Sequence, residues 1–217
     1  MYIYNSYSLN NTMKIFINGL QRTGTNYVLK LFQQNIPNIE FKDDTHHPYY
    51  HKHDLYNFKN PFTDKYPNKI LTIIKHPYSW IESICFRNCV DIKTWFPNYY
   101  LHNAQNHCGP FQINLKNLCK LYYDWYNTWL DVPQVNLIPY ERLLAERDVR
   151  RNIKRIFNIH PKTIVIPNNI PQSHDFMHER KELYKNYKTQ YLNDFQKKII
   201  KNNLPKTFLK RINYTLS

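Results

Sequence analysis

Lys14-Ile15-Phe16-Ile17-Asn18-Gly19-Leu20-Gln21-Arg22-Thr23-Gly24-Thr25-Asn26 is the stretch from which the fold can be read. Lys14 to Asn18 is a short run of β-forming residues that stops at Gly19. From Thr25 to Gln34 the apolar residues Val28, Leu29, Leu31 and Phe32 fall at helical spacing. A strand, a tight loop and a helix therefore follow one another. Backbone N–H groups at a helix N-terminus point into such a loop, and the helix dipole favours an anion there. The chain contains 3 glycines, at 19, 24 and 109, and two of them bracket this loop. Glycine tolerates positive φ and lets a backbone approach a ligand closely. Residues 1–12, on the N-terminal side, read as a polar tail.

Further along, Lys69-Ile-Leu-Thr-Ile-Ile74 is a near-continuous apolar run, as expected of a parallel strand covered on both faces. Pro77 suits the first turn of a following helix, which the pattern extends to about Cys89. A short strand is expected near Ile39–Phe41 and another at Val135–Ile138. Leu115, Leu118, Cys119, Tyr122, Trp125, Tyr126 and Trp129 form one helical stripe, read as core packing. Val149, Ile153, Ile156 and Phe157 mark another helix; Lys181 to Lys201 reads as one more, and a short last one follows near Pro205. Residues 91–114 are irregular and rich in aromatics and Asn, a composition suited to a lid or binding loop. Strands alternating with helices predict a three-layer α/β fold, a central parallel sheet flanked by helices, in a single domain over 13–217.

The bulk composition bounds the function. In 217 residues, 42% are hydrophobic and 21% charged, which excludes a disordered chain. The formal net charge of +14 suits anionic partners: nucleotides, nucleic acid, sulfated glycans or acidic membranes. Abundant Asn, Lys, Ile and Tyr reduce the weight of that charge as a functional signal. The cysteines, Cys85, Cys89, Cys108 and Cys119, contain no Cys-x-x-Cys pair. A zinc site with His102, His107 and Cys108 would have unusual ligand spacing, so buried thiols are expected. No run approaches the roughly 18 apolar residues of a membrane span, and no cleavage signal is seen, so a soluble, cytoplasmic protein is expected.

The loop has the glycine spacing of the Walker pattern G-x-x-x-x-G-K-[ST], but Thr25 stands where that pattern has lysine. Nor do the later strands end in an acid suited to Mg²⁺: one runs into Lys75-His76, the other into Pro139-Tyr140. A metal-dependent nucleotide kinase or GTPase is therefore disfavoured. Arg22-Thr-Gly-Thr25, with its cation inside the loop, resembles the 5′-phosphosulfate loop of the sulfotransferases that use 3′-phosphoadenosine 5′-phosphosulfate (PAPS). Lys75, Pro77 and Ser83 keep the spacing of that family's 3′-phosphate element, with lysine where arginine is commoner. Lysine supplies a point charge rather than a bidentate fork. Pro139-Tyr140-Glu141-Arg-Leu-Leu144 matches a third element, in which Tyr140 and Glu141 read as structural. The resemblance spans residues 14–144 and, more loosely, the rest of the chain.

That resemblance implies a P-loop NTPase-like sulfotransferase fold and transfer of a sulfuryl group from PAPS to a hydroxyl or amine, leaving PAP, without metal. It implies that Gln21, Arg22, Thr23, Gly24, Thr25 and Asn26 bind the 5′-phosphosulfate, with Arg22 on the bridging oxygen, and that Lys75 and Ser83 hold the 3′-phosphate. The family's base is a His or Glu between the first helix and the next strand. Here that interval holds His46, His47, His51, His53, Asp43, Asp44 and Asp54. Lys52-His53 looks most like the family element, so His53 is the first choice, with His47 and Asp44 behind it; an unperturbed histidine titrates near the pH a base needs. Arg180 or Lys181 is a weaker candidate for the 3′-phosphate. The acceptor, a glycan or small molecule, is expected against Trp95, Tyr99 and Tyr100 in the 91–114 loop. The competing reading is a non-catalytic nucleic-acid- or glycan-binding module, which accounts for the charge and the aromatics but not for a Thr-Gly-Thr loop between strand and helix.

Overall fold

A computed structural model of the chain describes residues 13–20, 23–42, 69–85, 115–167 and 192–216. Four strands among them form one sheet: β1 (Met13–Asn18), β2 (Ile39–Lys42), β3 (Lys69–Ile74) and β4 (Val135–Pro139). All neighbours run parallel, in the order β2-β1-β3-β4. The expected strand near Ile39–Phe41 is therefore real and lies at the β2 edge of this sheet.

The strand side chains alternate between two cores, as the period of two requires. Ile15, Ile17, Leu71, Ile73 and Ile138 face one way, toward α1 (Thr25–Asn35) and a helix that follows β4. Phe16, Ile70 and Ile74 face the other way, toward α2 (Pro77–Cys85) and α3 (Leu115–Leu130). The helix after β4 is α4 (Glu146–Phe157); α5 (Asp194–Asn203) and α6 (Lys206–Arg211) complete the second layer. Helices on both faces of a parallel sheet make the three-layer α/β architecture.

The α3 stripe is core, as its spacing predicts: Leu118, Cys119, Tyr122, Trp125, Tyr126 and Trp129 are all buried. Its rings form a continuous cluster of tilted and edge-on contacts: Trp129 with Phe16 (6.2 Å), Trp125 with Trp129 (5.8 Å), Trp125 edge-on to Tyr126 (4.8 Å) and Tyr122 with Tyr126 (4.7 Å). Cys119 is a buried free thiol, and burial pushes its pKa up to about 12. The opposite layer is fastened by Phe32 against Phe157 and by Asn35, which exchanges two hydrogen bonds of 2.7 Å with the Val165 backbone.

One boundary differs from the periodicity. The helix expected over Lys181–Lys201 cannot be continuous, because Leu192 and Asn193 are not helical and Asn193 caps a new helix at Asp194. Asn193 Oδ1 accepts from the Gln196 N–H at 2.9 Å, and Gln196 Oε1 accepts from the Asn193 N–H at 3.0 Å. This capping box satisfies two orphan groups at once and ends the register of anything before it. Among the described residues no helix is long and apolar enough to cross a membrane.

Candidate functional site

β1 is the point where the sheet order reverses: the chain leaves it for β2 on one side and returns to β3 on the other. Open α/β sheets leave a crevice at the strand C-termini at such a point. Two segments leave the sheet there: the loop from Gly19 into α1, and Lys75-His76 from β3 into α2.

The loop is braced from within. The Thr23 hydroxyl donates to the Leu20 carbonyl at 2.6 Å, and the Thr23 N–H to the same oxygen at 3.1 Å. Gly19 sits against β3, where a Cβ would lie 2.6 Å from Thr23 Oγ1 and 2.7 Å from the Ile73 carbonyl oxygen. Close backbone approach is what makes glycine necessary at that position. Gly24 is different. Its φ of 88° is left-handed, and from there the chain enters α1 with no side-chain cap and no acidic residue in the first turn. The opening N–H groups of a helix have no intrahelical acceptor, so this end favours an anion.

On the β3 side, Lys75 Nζ donates to Ser83 Oγ at 2.6 Å, and Ser83 Oγ donates to the Ser79 carbonyl at 2.7 Å. Lys75 and Ser83 are each only 3% exposed. The spacing of eight residues is met because the serine lies two turns up α2, over the side chain that leaves the strand end. Two α3 tyrosines secure the backbone beneath: Tyr122 donates its hydroxyl to the Lys75 carbonyl at 2.7 Å, and Tyr126 to the Ile73 carbonyl at 2.9 Å. Burial holds both phenols well above their usual pKa, so they remain protonated donors.

Tyr140 joins the two sides. Its ring fills the space that a Cβ on Gly24 would need, and the Lys75 ammonium stands 5.6 Å from the centre of the same ring. That distance lies within cation–π range. The loop and the Lys75–Ser83 pair therefore share one side of the sheet edge. Tyr140 is also edge-on to Tyr27, whose hydroxyl donates to the Leu143 carbonyl at 2.8 Å.

Glu141 holds the β3–α2 corner. Its Oε1 accepts the His76 N–H at 2.8 Å and its Oε2 accepts the Tyr214 hydroxyl at 2.6 Å. The carboxylate thus sits at the N-terminus of α2, where a negative charge is favoured. Burial raises the Glu141 pKa, while the bonds from Tyr214 and His76 and the charge of Lys75 act to lower it. His76 lies between the rings of Tyr78 (5.3 Å) and Tyr214 (5.2 Å), and burial lowers its pKa to about 4.

Of the residues expected from sequence, the structure brings together Thr23, Gly24, Thr25, Lys75 and Ser83, with Asn26 in the first turn of α1. Gln21, Arg22, every candidate base of the 43–54 interval (His46, His47, His51, His53, Asp43, Asp44 and Asp54), Arg180, Lys181, the 91–114 loop and the zinc candidates lie outside the described residues. Tyr140, read from sequence as structural, packs against Gly24 and Tyr27, and sequence reasoning missed the part that Tyr122, Tyr126 and Tyr214 take in building the site. For Tyr122 and Tyr126 there was a signal, since tyrosine in a core stripe needs an acceptor for its hydroxyl. Compared with protein-family models, curated proteins and solved structures, the chain matches none.

Proposed function

We propose that this chain is a PAPS-dependent sulfotransferase with a P-loop-like nucleotide site. The observation that carries the reading is the preformed Lys75–Ser83 pair and the helix N-terminus at Gly24, which has no side-chain cap, each lying against the ring of Tyr140. Two separate elements suited to anions, both beside Tyr140, fit a nucleotide with phosphates at both ends.

The first-turn N–H groups of Thr25 and Asn26, with Arg22, would hold the 5′-phosphosulfate, and Lys75 with Ser83 the 3′-phosphate. The donor supplies an activated sulfuryl group when bound. The acceptor oxygen or nitrogen forms a bond to sulfur in line with the breaking bond to the phosphate oxygen. PAP leaves with the electron pair, and Arg22 stabilises that oxygen. His53 takes the acceptor's proton.

A thermal-shift titration tests the reading. PAP is expected to raise the melting temperature more than ATP–Mg²⁺ does, and Arg22→Ala and His53→Ala to stop transfer from labelled PAPS while PAP still binds. Absence of any PAP shift would remove the proposal; retained transfer in His53→Ala would move the base to another residue of the 43–54 interval.

A further inference from the structure

Arginine is the minor cation of this chain, 9 residues against 21 lysines, yet five of the nine lie between Arg142 and Arg155. A general enrichment in lysine does not produce that concentration. In α4 the apolar residues Val149, Ile153, Ile156 and Phe157 are buried against the sheet. The opposite face carries Arg147, Arg151 and Arg155 at i, i+4 and i+8, with Lys154 beside them, all exposed. Residues at this spacing stand one above another, about 6 Å apart along the axis.

The ladder is poorly neutralised. Asp148 is shared by Arg147 (3.6 Å) and Arg151 (3.5 Å), whose side chains are 82% and 69% exposed. Arg155 meets the amide oxygen of Asn152 at 3.2 Å rather than a carboxylate. Arg150, by contrast, is tied to Glu146, Pro161 and Lys162 and serves the fold. Like charges one turn apart destabilise a helix unless an anion lies between them. The ladder is also placed to matter. α4 begins directly after the turn that holds Tyr140 on Gly24 and Glu141 on the His76 backbone, and Arg142 in that turn is exposed.

We infer that Arg142, Arg147, Arg151 and Arg155 form a docking track for an acidic polysaccharide, led along α4 to the sheet edge. Guanidinium forks match sulfate and carboxylate oxygens bidentately, which lysine does not do. No exposed aromatic residue lies on this face of α4, so it lacks the stacking platform that single-stranded nucleic acid uses. That the polysaccharide is also the acceptor rests on the transfer reading above; that it binds here does not.

Binding of the full chain to heparin, to hyaluronan and to neutral dextran, with a single-stranded DNA oligonucleotide alongside, tests this. Heparin carries sulfate and carboxylate, hyaluronan carboxylate alone. The variant Arg147→Gln/Arg151→Gln/Arg155→Gln is expected to weaken heparin binding at least tenfold and to leave the PAP thermal shift unchanged. Lys198→Gln/Lys201→Gln/Lys206→Gln removes the same charge from the other helical layer and is expected to have a much smaller effect. Equal losses from the two variants would reduce the track to net charge and overturn the inference, as would DNA binding tighter than heparin binding with the same arginine dependence. Binding of hyaluronan as tight as heparin would assign the track to carboxylates; weaker binding, to sulfates. Arginine-dependent heparin binding without any PAP shift would keep the track and sink the transfer reading instead.

Discussion

The ring of Tyr140 occupies the volume that any side chain at Gly24 would need, although 116 positions separate the two along the sequence. Gly24 is doubly constrained, by this contact and by its φ of 88°. Gly24→Ala is expected to destabilise the protein by about 1–3 kcal/mol from backbone strain alone, the range for a non-glycine residue held in a sparsely populated region, and by more where the ring overlap is not relieved. Adding Tyr140→Ala should relieve the overlap but not the backbone strain, so the second change should cost less on the Gly24→Ala background than alone. Denaturant unfolding of the two singles and the double reads this directly. Simple additivity would mean that the ring and the glycine do not compete for space.

Lys75→Met removes the buried ammonium, and PAP affinity is expected to fall at least tenfold, about 1.4 kcal/mol. Ser83→Ala should fall less, because it removes one hydrogen-bonding group and no charge. The two side chains touch at 2.6 Å, so their losses should not add. Calorimetric titration of the single and double variants measures the coupling; independent losses would argue against a shared phosphate site.

Tyr214→Phe takes one donor from a buried carboxylate, and a loss of about 1.5–3 kcal/mol is expected, as for a hydrogen bond to a charged group. Glu141→Gln can still accept from the His76 N–H, so the β3–α2 corner should stay closed. If both variants melt like the wild type, the Glu141–Tyr214 contact does not hold the C-terminal segment in place.

The pH dependence should carry the mark of His76. Its folded pKa of about 4 lies below its ordinary 6.5, so the unfolded chain binds the proton more readily. Its contribution to stability is full above about pH 6.5 and is lost as pH falls toward 4. At most this amounts to about 3 kcal/mol, at 1.36 kcal/mol per unit. Glu141, raised by burial, acts with the opposite sign: it favours folding below its unfolded value and loses that contribution as pH rises through its folded one. Urea midpoints of wild type and His76→Phe between pH 7.5 and 4.5 separate the two, since the variant should lose less stability on acidification. A parallel fall in both proteins would assign the acid sensitivity elsewhere.

Much of the fold is legible locally. The β1 loop was legible because a short run of β-forming residues stops at Gly19 and apolar residues at helical spacing begin after Thr25. Lys75 and Ser83 were picked out as partners by their resemblance to the family's 3′-phosphate element, and their side chains do meet, at 2.6 Å. The break before Asp194 was missed because the apolar pattern continues through Leu192, while the capping box at Asn193 and Gln196 decides the start.

The sequence alone determined the parallel α/β layout and a tight, glycine-bracketed loop between the first strand and the first helix. Only the tertiary structure decided that Tyr140 lies against both, that Tyr122 and Tyr126 brace the β3 backbone, and that Tyr214 reaches Glu141 across 73 positions. Side-chain periodicity reports which face of an element is buried. It carries no information about which distant element covers that face, because this depends on the order β2-β1-β3-β4 in which the strands assemble.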